Sequence, residues 1–70
     1  MKWSELEALA ERNGWEIVLE DYTSKGGKAW AGLHLNREGA PPEYLEVVRP
    51  TVVGAKRALC RAVAKIRDAR

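Results

Sequence analysis

The sequence predicts a small α+β domain in the order helix, three antiparallel strands, helix, and two observations predict it. The spacing of apolar residues changes from 3.6 to 2 at Trp15 and returns to 3.6 after Pro50. Chain breaks stand between the periodic segments, at Asn13-Gly14, Gly26-Gly27, Gly39 to Pro42 and Pro50-Thr51. Seventy residues leave room for one domain, 1–70, and a chain this short buries only about 60% of the surface it exposes when unfolded. The core must be thin.

Ser4 followed by Glu7 reads as a capping box that opens helix 1 over about 4–13. Leu6, Leu9 and Ala10 then share one side, Trp3 packs on the first turn, and Asn13-Gly14 supplies a left-handed stop. From Trp15 to Tyr22 the chain alternates, with Trp15, Ile17 and Leu19 on one face and Glu16, Val18 and Glu20 on the other, which predicts strand 1. Thr23 to Gly27 is a turn with two glycines free to take positive φ, so strand 2, at 28–35, returns as a hairpin. Its Ala29, Ala31, Leu33 and Leu35 face one way and Trp30, Gly32 and His34 the other.

Asn36 to Glu43 contains Gly39 and Pro41-Pro42 and is a loop, because proline lacks the ladder donor and restricts the residue before it. Strand 3 follows at 44–49 with Leu45 and Val47 inward, and Pro50-Thr51 gives a break and an N-cap. Helix 2, at 52–68, carries the stripe Val52, Ala55, Leu59, Ala62, Val63 and Ile66, the pattern of a helix packed on a sheet. The expected architecture is a three-stranded antiparallel sheet with both helices on one face, or, as the alternative, one helix on each face.

Composition narrows the function classes. Hydrophobic residues at 46% and charged residues at 31% suit a folded globular domain. The apolar runs are far shorter than the roughly 18 residues a membrane span needs. The opening residues lack the apolar stretch of a signal peptide, so the expected location is the cytoplasm, that of the host cell if the gene belongs to a phage. A single cysteine excludes an internal disulfide, and one cysteine with one histidine excludes a Cys/His zinc site within the chain. Charge is uneven: residues 1–50 hold six Lys/Arg against nine Asp/Glu, and residues 51–70 hold six against one. An acidic first helix beside a basic last helix predicts mutual attraction.

The run Pro50-Thr51, Ala55, Arg57-Ala58-Leu59-Cys60-Arg61-Ala62 and Val63 resembles the last helix of small phage proteins grouped as the phage ABA sandwich domain. The helix end Asn13-Gly14-Trp15-Glu16 and the strand Lys28-Ala29-Trp30-Ala31 fit the same likeness. The resemblance implies a fold and a phage or prophage origin; it brings no activity and no site residues. The family name implies helices on both faces of the sheet. The element order is also similar to that of double-stranded RNA-binding domains, which contact phosphates with lysines at the start of the last helix, where this chain has Lys56-Arg57. That family's Gly-Pro-x-His loop is absent here.

Catalysis needs convergent groups, and these are few. Cys60 and His34 could pair as nucleophile and base only if the fold brought them together, and Cys60 reads better as a small packing residue on the flank of helix 2. Glu16, Glu20 and Asp21 could be taken for metal ligands, but Glu16 and Glu20, with no third convergent partner, read as a solvated strand face. Lys25, Gly26, Gly27 and Lys28 lack a following helix N-terminus and read as a turn rather than a phosphate loop.

Two surfaces remain. The outer sheet face gathers Val18, Trp30, His34, Tyr44 and Val48, an apolar and aromatic cluster of the kind that forms protein interfaces. The outer side of helix 2 carries Arg57, Arg61 and Lys65 beside Lys56, with Arg67 and Arg70 flanking, a stripe suited to phosphates. The expected function is therefore that of a phage-type accessory domain that binds without catalysis. Its partner would be a protein, either another chain or a second copy. The alternative is nucleic-acid binding through helix 2. No cofactor, metal, small-molecule substrate or membrane is expected.

Overall fold

The computed structural model describes residues 1–36, 38, 39 and 41–68. The elements are α1 (Trp3–Asn13), β1 (Glu16–Asp21), a short 3-10 turn (Thr23–Lys25), β2 (Ala29–Leu35), β3 (Glu43–Arg49) and α2 (Val52–Asp68). The α-β-β-β-α order and the antiparallel sheet, with β2 between β1 and β3, follow the sequence reading. Of the loop between β2 and β3, residues 37 and 40 lie outside the described residues, as do Arg70 and the side chain of Arg67.

Helix α1 starts earlier than the capping box predicts. Lys2 is the N-cap and makes no side-chain capping bond, while Ser4 lies inside the first turn. The amides of Glu5 and Leu6 both donate to the Lys2 carbonyl at 3.1 Å, so the backbone closes the turn without the Ser4 hydroxyl. The reason lies in Trp3, which joins the helix and packs against the core, drawing the start forward by about a residue. The other end matches expectation: Gly14 is left-handed at φ 69°, and the Trp15 amide reaches the Ala10 carbonyl at 2.8 Å, closing a Schellman-type stop.

In the hairpin turn the two glycines serve different ends. Gly26 takes φ 76°, but Gly27 does not have positive φ; a Cβ there would come 2.9 Å from the Tyr22 Cβ, so its requirement is close approach. Asp21 accepts from the Thr23 amide at 2.9 Å and from the Thr23 hydroxyl, and these two bonds hold its carboxyl below the usual range. Thr51 caps α2 as expected, its Oγ1 accepting from the Gly54 amide at 3.0 Å.

Both helices lie on one sheet face. Leu6 and Ala10 of α1, Ala55, Leu59, Cys60 and Val63 of α2, and Ala29, Ala31, Leu33 and Leu35 of β2 form one buried cluster, edged by Trp15, Ile17, Leu45 and Val47. The alternative of one helix on each face, and the three layers implied by the phage family name, are therefore not what forms. The inner row of β2 is the most apolar surface on the sheet, and a thin core needs both helices to cover it. The predicted stripe of α2 is rotated slightly. Cys60 is buried, whereas Ile66 is 40% exposed. Among the described residues, no helix is long and apolar enough to cross a membrane.

Candidate binding surfaces

The register of the sheet decides what its open face presents. Glu16, His34 and Tyr44 form one cross-strand row, Val18, Gly32 and Glu46 the next, and Glu20, Trp30 and Val48 the third. Alternation puts all nine on the side away from the helices. The five residues singled out from the sequence, Val18, Trp30, His34, Tyr44 and Val48, thus share one face: Trp30 is 41% and Tyr44 49% exposed, His34 is exposed, and the two valines are half-buried.

Gly32 organises this face. The Tyr44 ring lies across it, so that a Cβ at Gly32 would overlap the ring and its hydroxyl. His34 meets the same ring edge-on, with centroids 4.4 Å apart and planes at 85°. Burial, with the nearby Glu46 and Glu20 carboxylates, pushes the Tyr44 phenol above its usual range. Replacing Gly32 by Ala is expected to displace the ring while changing the melting midpoint little, because the clashing atoms are the far end of a side chain free to swing outward. The loss of ring-current shifts on the His34 protons would report it; unchanged His34 shifts would contradict the contact.

The sequence reading gave Glu16 and Glu20 as solvated residues of the Val18 face but did not set them, Glu46 or Tyr22 beside the apolar cluster. Glu16, Glu20 and Glu46 stand among the apolar residues and make the face acidic. Tyr22 extends it at the hairpin end, where its hydroxyl donates to Glu20 Oε2 at 3.0 Å, which pushes the Tyr22 phenol up. Together with Gly26, Gly27, Lys28 and Trp30 these two residues line a cleft of about 670 Å³. The period-2 pattern, which runs from Trp15 to Tyr22, already places Glu16, Glu20 and Tyr22 on this side, but the cleft itself depends on the conformation of the turn.

The basic stripe is less uniform than expected. Arg57, Arg61 and Lys65 are exposed on α2. Lys56 is half-buried and turned toward α1, its Nζ 5.1 Å from the centre of the Trp3 ring. A basic residue of α2 thus meets α1 through a cation-π contact, beside the apolar packing of the two helices. On the opposite flank, Arg49 from the end of β3, which the sequence reading did not single out, joins Arg57 and Arg61 around a groove of about 310 Å³ floored by Gly54 and Ala58.

Cys60 and His34 cannot act together. Cys60 is in the core beneath the helices and His34 projects from the open face, with the sheet between them. Burial pushes the Cys60 thiol up, away from the reactive thiolate. In the folded protein Cys60 is expected to react with a thiol-specific alkylating reagent far more slowly than in denaturant; equal rates in both would show an accessible thiol. Among the described residues no three His, Cys, Asp or Glu side chains gather to hold a metal ion.

The fold and surfaces are those of a two-layer α+β domain with an open sheet face. Comparison with protein-family models, with curated proteins and with solved structures finds no match to this chain.

Proposed function

We propose that this domain is a phage-type accessory domain of the host-cell cytoplasm that works by binding, without catalysis, and that its open sheet face docks another protein. The observation that carries the reading is the exposure of Trp30 and Tyr44 beside Val18 and Val48 on a face no helix covers. Exposed aromatics packed among aliphatic residues supply large contact area at low conformational cost, which is how interface centres are built. The glutamates refine the choice of partner. Two copies set face to face would bring Glu16, Glu20 and Glu46 of each toward the other's, whereas a partner with Lys or Arg around an apolar centre would complement them. A separate chain is therefore favoured over a second copy. The non-catalytic part of the reading is supported by the sheet that separates the sole histidine from the sole cysteine.

The test is capture from a bacterial lysate by the wild type, by Trp30→Glu and by a variant with Arg57, Arg61 and Lys65 changed to Glu, with light scattering on each. A protein held by the wild type and the helix variant but lost from Trp30→Glu supports the reading. Identical captures by all three, with identical masses in solution, would contradict it.

A second reading, nucleic-acid binding through α2, is supported by one observation: from Val52 to Arg67 the helix carries five Lys/Arg and no acidic residue. Lys56, held over Trp3, contributes less to such a surface than Arg57, Arg61 and Lys65.

A further inference from the structure

We propose that Arg49, Arg57 and Arg61 form a phosphate-binding groove that takes the phosphodiester backbone of a nucleic acid; the polymer as source rests on the second reading above, the groove itself does not. Three guanidinium-bearing residues from two elements line this one groove with Gly54 and Ala58, and among the described residues no carboxylate lines it. The planar fork of arginine matches phosphate oxygens in pairs, and several forks around one depression suit a phosphate better than a carboxylate partner.

The arrangement works against the protein's own electrostatics. Arg57 and Arg61 are like charges one helical turn apart, a spacing that repels. Arg49 also stands beside the first turn of α2, at the positive end of its dipole, where cations are disfavoured and no acidic residue is present. Among the described residues no Asp or Glu lines the groove. A bound anion would relieve all of these repulsions at once.

Arg49 is also held in place. Gly54 lies inside α2, where glycine is a poor helix former. A Cβ at Gly54 would come 3.0 Å from Thr51 Oγ1, tighter than ordinary packing, and 3.4 Å from the Arg49 Cβ, at ordinary contact distance. The Arg49 stem lies along the first turn of α2 at Gly54, while Arg49 Nη1 donates to the Val48 carbonyl at 2.7 Å. Lys65 is one turn beyond Arg61 and Lys56 is engaged with Trp3, so neither lines the groove. An extended polymer fits better than a small free phosphate because all three arginines are exposed. The glutamates of the sheet face, on the other side of the molecule, would keep a polyanion to this side.

The experiment uses the full chain with two probes, inorganic pyrophosphate and single-stranded DNA of mixed sequence. Pyrophosphate should shift the Nε–Hε NMR signals of Arg49, Arg57 and Arg61, and Arg49→Gln or Arg61→Gln should each weaken its binding about tenfold. Lys65→Gln should change it by about twofold or less. For DNA, each lost arginine should lower the slope of log affinity against log salt by about 0.7. Pyrophosphate that moves none of the three signals overturns the groove. DNA binding that Lys65→Gln weakens while Arg49→Gln and Arg61→Gln leave it unchanged also overturns the groove, and leaves the basic-helix reading intact. Pyrophosphate binding without DNA binding upholds the groove and overturns the polymer as its source.

Discussion

Truncating Leu59 to Ala is expected to lower stability by about 2–5 kcal/mol, because the side chain is fully buried where α2 meets the inner row of β2 and its removal leaves a cavity the fold can only partly close. A domain of this length has a total stability of roughly 4–10 kcal/mol. The loss is therefore a large share of the whole, and the thermal midpoint should fall by about 10 °C or more. Thermal unfolding followed by circular dichroism measures it. A midpoint within error of the wild type would mean that α2 presents a different face to the sheet. Val53, exposed on the same helix, is the control: Val53→Ala should change stability only slightly.

The second large effect is expected at Trp30. Trp30→Glu places a carboxylate at the middle strand of the open face, across from Glu20, where docking would strip it of water. An unpaired charge buried in an interface is strongly unfavourable, so association through this face should weaken by about a hundredfold or more. The fold should survive, since Trp30 lies on the side away from the buried cluster and a good part of its surface is already in water. Loss of binding with an unchanged melting curve is the expected pair of results. If the variant unfolds, Trp30→Ala supplies the same comparison without the added charge.

The elements of this fold are readable from local chemistry where one residue's requirement sets the outcome. Thr51 after Pro50 caps α2, Gly14 stops α1, and the period-2 rows of β1 to β3 assign every residue to its face. Reading fails where a tertiary contact outweighs a local motif. Ser4 and Glu7 satisfy the capping-box pattern, yet the packing of Trp3 moves the helix start ahead of them. The five apolar and aromatic residues of the open face were legible because alternation alone collects them. The role of Gly32 was not, since it depends on the register that sets Tyr44 diagonally across it. Arg49 was equally hidden: it ends a strand, and only the path from β3 into α2 brings it beside Arg57 and Arg61.

The central claim, that the open sheet face is where this domain binds its partner, is tested most directly by fluorine NMR. The chain has three tryptophans, of which Trp30 alone lies on the open face, while Trp3 and Trp15 pack against the core. With 5-fluorotryptophan in the protein, each gives its own line, assigned by single substitution, and an unlabelled bacterial lysate contributes no background. In lysate, the Trp30 line is expected to shift or broaden while those of Trp3 and Trp15 hold their positions, and Trp30→Glu should leave no responding line. Three lines unchanged between buffer and lysate, or a response confined to Trp3 on the helical side, would contradict the account.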